Sequence, residues 1–184
     1  MSKIGRKPID IGNVQVEIKG QEVHYKGPKS SGIYVLPDVL TAKIEDKHLV
    51  LETRKDVKMP LRELNRIWGL HRALLSNKIK GAGHEFEKKI QIIGLGYKAI
   101  SSGNKLVFSL GYSHKIDFEL PKSVSVDIDK TGQNLTFKSS DKELVGHVCS
   151  KVKALRLPEP YKGTGIKFAD EVIHRKAGKA KASA

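Results

Sequence analysis

Val14, Val16 and Ile18 alternate with Gln15, Glu17 and Lys19 near the start of the chain. A period of two puts one set of side chains on each face of an extended backbone, so the stretch predicts a strand with one buried face. Val23 and Tyr25 continue the pattern in GQEVHYKG, behind a glycine-led turn. From Leu36, LPDVLTAKIEDKHLVLE reads as an alternating strand, a polar turn and a second short strand. The period then lengthens. Leu61, Leu64, Trp68, Leu75 and Ile79 recur at helical spacing, with Ile67 and Leu74 widening the stripe. Pro60 suits a first turn and Gly81 a C-cap, so a helix over about 61–80 is expected.

The whole plan recurs. GNKLVFSLG from Gly103 matches GQEVHYKG, with Leu106 and Phe108 in the places of Val23 and Tyr25. LPKSVSVDIDKTGQNLTFK from Leu120 matches the stretch from Leu36. A second helix over about 141–155 follows at nearly the same distance, with Leu144, Val145, Val148, Val152 and Leu155 as its buried stripe and Pro158 just beyond. The pattern therefore defines an α+β fold of two tandem repeats. Each is a mainly antiparallel β-sheet with one α-helix packed on its apolar face, and a basic C-terminal extension follows. The expected bounds are residues 1–82, 83–157 and 158–184, with Gly81–Gly83 at the first junction.

Charge separates these parts. The chain carries 34 Lys and Arg against 20 Asp and Glu, a net charge of +14. Residues 1–82 hold 16 bases and 9 acids, residues 83–150 hold 9 and 8, and residues 151–184 hold 9 and 3. Such an excess says little about fold and much about partners: nucleic acid, an anionic membrane surface or an acidic protein would all fit. No apolar run reaches the ~18 residues of a membrane span, and MSKIGRKPIDIG lacks the apolar core of a secretory signal. Cys149 is the only cysteine, so an intrachain disulfide is impossible and a reducing compartment fits.

Catalytic patterns are weak. IQIIGLGYKA at 90–99 contains G-x-G-x-x-A after a strand, but a dinucleotide fingerprint needs a helix at that turn, and SSGNK follows instead. A glycine-bent strand is the expectation. The seven histidines never fall closer than 13 residues apart, and with one cysteine no metal-ligand spacing arises. Cys149 sits beside a buried stripe with no basic neighbour to activate it and reads as an inert core residue. No catalytic residue, metal or cofactor is expected.

The last segment differs. In PEPYKGTGIKF, Pro158 and Pro160 end the helix and stiffen the path. Gly163 and Gly165 permit close backbone approach, Tyr161 offers a ring for stacking, and Lys162 and Lys167 supply point charges. Arg175, Lys176 and Lys179 follow among Ala, Gly and Ser, a composition that orders against a polyanion.

SKIGRKPI at 2–9, KGPK at 26–29, PEPYKGTGIKF at 158–168, and then EVI and KAGK together resemble the bacterial-type family of large-subunit ribosomal protein six. The likeness spans essentially the whole chain and includes the tandem repeat. Thr164 stands where the family commonly has lysine and Phe168 where it has tyrosine, which removes one phosphate contact and one hydroxyl. The resemblance implies a non-enzymatic constituent of the large ribosomal subunit, in the bacterial cytoplasm or encoded by an organelle. Its partners would be large-subunit ribosomal RNA near the sarcin-ricin stem and neighbouring ribosomal proteins, with translational GTPases docking close by. No membrane or small-molecule substrate is implied. The RNA contacts would fall on Lys153, Arg156, Tyr161, Lys162, Gly163, Gly165, Lys167, Arg175, Lys176 and Lys179, reading mostly RNA shape.

Overall fold

A computed structural model describes residues 2–54 and 59–179. Contacts divide the chain into two units, residues 1–85 with 140–142 and residues 86–139 with 143–184.

In the first unit the strands are β1 (Ile9–Asp10), β2 (Gln15–Lys19), β3 (Glu22–Lys26), β4 (Ser31–Val35), β5 (Leu40–Glu45) and β6 (His48–Thr53), followed by helix α1 (Leu61–Gly83). They form two antiparallel sheets, β1-β6-β5 and β2-β3-β4. The alternation seen in sequence is realised as burial. Val23, Leu40, Leu49, Leu51 and Ile9 turn inward against Leu75 and Ile79 of the helix. Trp68 joins this core and donates its indole N–H to the Leu51 carbonyl at 2.9 Å, so its one polar atom is satisfied inside.

The second unit repeats the order with β7 (Phe86–Ile93), β8 (Lys98–Ser102), β9 (Lys105–Ser109), β10 (Ile116–Glu119), β11 (Ser125–Ile128), β12 (Asn134–Ser139) and α2 (Lys142–Leu155), then adds β13 (Gly165–Phe168). Its sheets are β10-β9-β8 and β11-β12-β7-β13, again antiparallel. Equivalent positions do equivalent work. Ile9 faces Leu49 as Ile90 faces Leu135. The Leu36 N–H donates to the Gln21 carbonyl at 2.8 Å, and the Leu120 N–H donates to that of Asn104 at 3.0 Å. Gly20 and Gly103 turn their hairpins at φ of 64° and 61°. The α+β tandem repeat expected from the pattern is the architecture found.

Two elements depart from the sequence reading. Helix α1 does not stop at Gly81 but runs to Gly83, with His84 as its extended C-cap. Gly81 is buried within the helix, whose last turn, Gly81-Ala82-Gly83, consists of small residues because the chain packs closely upon it. A Cβ on Gly27 would lie 2.2 Å from the Ala82 carbonyl oxygen. The second departure is β13, a strand that the pattern does not predict within this extended segment. β7, with eight residues, is long enough to pair with β12 through Phe86–Gln91 and with β13 through Ile90–Ile93.

Gly94 and Gly96, at φ of 155° and 73°, lie in the turn from β7 to β8 and carry the chain from one sheet to the other. A strand follows them, not a helix, so no helix N-terminus stands ready for a pyrophosphate. Cys149 is fully buried, and burial pushes its thiol up to about 11. It is an inert core residue.

Candidate nucleic-acid interface

After α2 the chain returns to the second unit's own sheet through β13. The Ile166 N–H donates to the Arg156 carbonyl at 2.8 Å, and the Ile166 side chain is 0% exposed within the core. Gly165 is required because a Cβ there would lie 2.6 Å from the Leu157 carbonyl oxygen, and its φ of 141° disfavours any side chain.

Upstream of β13 the chain closes a small loop. The Glu159 N–H donates to the Thr164 carbonyl, the Gly163 N–H donates to the Glu159 carbonyl (both 2.9 Å), and the Thr164 hydroxyl donates to the Glu159 carboxylate at 3.3 Å. Tyr161 and Lys162 are thereby placed, exposed, at its tip. Downstream of β13 the chain folds back. The Lys176 N–H donates to the Pro160 carbonyl at 2.9 Å, and the Arg175 guanidinium lies against Gly163, 3.2 Å from where a Cβ would stand. Two segments apart in sequence thus bring Tyr161, Lys162, Arg175 and Lys176 onto one surface. Lys179 is exposed a few residues further on.

The other expected contacts are engaged within the chain. Lys153 pairs with Glu171 at 2.7 Å and lies 4.9 Å from the Phe168 ring centroid, while Lys88 sits 4.0 Å over the same ring. Lys167 donates to the Glu171 carbonyl oxygen at 3.4 Å. Gly163 and Gly165 are both buried, and each meets its own chain there. Arg156 stacks over Tyr112 at 4.7 Å and reaches toward Tyr97 at 5.9 Å.

Glu171 is therefore the clasp of this segment, and sequence reading passed over it. Its carboxylate takes Lys153 and also the Phe168 N–H at 3.2 Å. The Lys153 hydrogen bond above all holds its carboxyl below the usual carboxylate value. A depressed carboxyl favours the folded state at any pH above the unfolded group's value, and that contribution vanishes as pH falls through the folded one. Glu171→Gln should lower stability at pH 7 by about 1 kcal/mol, since the pair is partly solvated, and should abolish the difference from wild type in strong acid. Urea melts of both proteins at neutral and acid pH check this. An equal deficit at both would contradict the clasp.

Among the described residues no helix is long and apolar enough to cross a membrane, and no group of three His, Cys, Asp or Glu side chains is placed to hold a metal ion.

The family model described as Ribosomal protein L6 matches residues 93–169, which include the turn between sheets, α2 and β13. The large ribosomal subunit protein uL6 of Syntrophomonas wolfei is 41% identical over 181 residues, covering 98% of each chain. Those of Bifidobacterium animalis and Methylacidiphilum infernorum are each 41% identical over 180 residues, covering 97% of this chain and 98% of theirs. A tandem α+β chain with a basic, ordered C-terminal surface and this likeness is a ribosomal protein, of a structural and non-enzymatic class. It belongs to the ribosomal protein L6 family, uL6, of bacterial type.

Proposed function

We propose that the chain is a structural constituent of the large ribosomal subunit, bound to 23S-type ribosomal RNA near the sarcin-ricin stem and the region where translational GTPases dock. On this reading residues 1–82 and 83–157 are the two repeats and residues 158–184 the RNA-binding extension. Neighbouring ribosomal proteins complete the set of partners, and the setting is the bacterial cytoplasm. The observation that carries the reading is the fold-back that gathers Tyr161, Lys162, Arg175 and Lys176 on one surface. Cations held close together by ordered backbone release counterions from a phosphate chain with little further loss of entropy. Lys153 and Lys167 serve mainly to hold this surface in place through Glu171.

The test is a salt titration of binding to a large-subunit ribosomal RNA fragment containing the sarcin-ricin stem. Truncation at Leu157 would also remove Ile166 from the core, so charge substitution is the better probe. With Lys162, Arg175, Lys176 and Lys179 all changed to Gln, the log–log salt slope should flatten by about 3–4. An unchanged slope would move the RNA site elsewhere on the repeats.

A further inference from the structure

The Gly-Leu-Gly turn after β7, with a fully exposed leucine at its tip, plays no part in the surface just described. It belongs to a second constellation in the same unit. Leu-Gly-Tyr occurs twice, at 95–97 and at 110–112, and the two loops meet around one ring. A Cβ on Gly94 would lie 2.5 Å from the Tyr97 ring, and one on Gly111 would lie 2.7 Å from it. Tyr97 is thus fixed between two bare backbones.

Beside it, Tyr112 is 44% exposed and donates its hydroxyl to the Leu155 carbonyl at 3.3 Å, which ties the loop to the end of α2. The exposed His114 ring lies 24° from parallel to that of Tyr112, with centroids 6.2 Å apart. The Arg156 guanidinium spans Tyr112 and Tyr97. Lys98 and Lys115, both exposed, follow Tyr97 and His114 along the chain, and Glu159 is the acid whose charge reaches Arg156. Leu95 projects from the neighbouring turn. The result is a strip of flat groups with a cation in it, and the rings of Tyr97 and Tyr112 are already held before any partner arrives.

We propose that this strip, Tyr112 and His114 with Arg156 and Leu95 beside them, holds an unpaired nucleobase of the bound RNA by stacking. The proposal rests on the reading of this unit as RNA-binding and adds to it a contact of a different kind. The fold-back surface meets phosphates, whereas this strip needs a base out of its helix. Every base has a flat face, and aromatic rings and guanidinium planes are the groups that take it. Rings held by glycine contacts and a backbone hydrogen bond lose little freedom on binding, which favours stacking further. A docked apolar peptide would use Leu95 but gains little from an arginine held over two tyrosine rings.

The intact protein should be titrated with the looped ribosomal RNA fragment and with a fully paired RNA duplex of equal length. Tyr112→Leu keeps bulk and removes the ring. The double variant Leu95→Ser with His114→Ala changes only surface side chains and keeps the test open if Tyr112→Leu lowers stability. Each should weaken binding to the looped fragment by about 10-fold or more, leave duplex binding essentially unchanged, and leave the salt slope of the looped fragment as it was, because stacking releases no counterions. Thiouridine-substituted fragment should photocrosslink to peptides containing residues 95–97 or 112–114. Wild-type affinity of both variants for the looped fragment would overturn the proposal and leave the strip as a surface for a neighbouring protein. Failure of the intact protein to bind the fragment at all would instead overturn the proposed function, and this contact with it.

Discussion

Ile166→Asp is expected to strip β13 from the second unit and cost about 4 kcal/mol or more of stability, through burial of a carboxylate with no partner. Ile166 is fully buried, pairs with Ile92 across β7–β13, and packs in the cluster built on Phe108, Phe137 and Val152. An aspartate at that position has two outcomes open to it. It stays in and remains uncompensated, or it leaves and takes the strand with it. If the strand leaves, the N–H at 166 loses the Arg156 carbonyl, and the clasp formed by Glu171 loses the strand it closes on. The urea midpoint should fall steeply, and limited proteolysis should cut between residues 158 and 179. RNA affinity should drop with it, although no charged side chain of the proposed RNA surface has been touched. A variant with the wild-type midpoint and protease resistance would show that β13 is not part of the core.

The second large effect is expected in the first unit, at Gly27 in the KGPK loop. Its Cβ would stand 2.2 Å from the Ala82 carbonyl oxygen and 2.6 Å from the Ala82 carbonyl carbon. Backbone cannot yield as the far end of a flexible side chain can. The loop is also committed there, since the Lys29 N–H donates to the Ala82 carbonyl at 3.0 Å and the Gly27 N–H to that of Ser30 at 2.9 Å. Gly27→Ala should cost about 3 kcal/mol by forcing the loop off the last turn of α1. Gly20→Ala is the control. Its Cβ would meet nothing within 4 Å, and only its φ of 64° opposes a side chain, so the loss should be nearer 1 kcal/mol. Denaturant melts of the two variants test the ranking, and a reversal would mean that the loop does not bear on the helix as described.

How much of this could be read beforehand depended on whether the information was periodic. Val23, Leu40, Leu49 and Leu51, and their counterparts Leu106, Val124, Leu135 and Phe137, are buried because the chain alternates or recurs around them, and the repeat gave each reading a second witness. Gly81 misled because glycine has two uses. At the end of a helical pattern it suits a C-cap, whereas the structure uses it inside a helix turn on which another segment packs. GIKF carries its alternation, but four residues after two prolines do not name the strand they will pair with. The basic residues of the tail were legible as charge, yet nothing local distinguishes Lys162, which faces outward, from Lys153, whose partner lies eighteen residues away. The Tyr112–Arg156 contact joins loops separated by three strands and a helix. Its one trace in the sequence is the repeated Leu-Gly-Tyr.

The order in which the chain is made bears on β13, the strand that has no counterpart in the first repeat among the described residues. β7 is synthesised first among the strands of its sheet and β13 last, after the whole of α2. A nascent second unit therefore holds Ile90–Ile93 with one side of its backbone unpaired and Ile92 uncovered, an open template for another chain. The delivery of Gly165–Phe168 shuts that template. The same few residues that set the basic surface in place also end the period in which the newborn protein is most prone to stick to its neighbours.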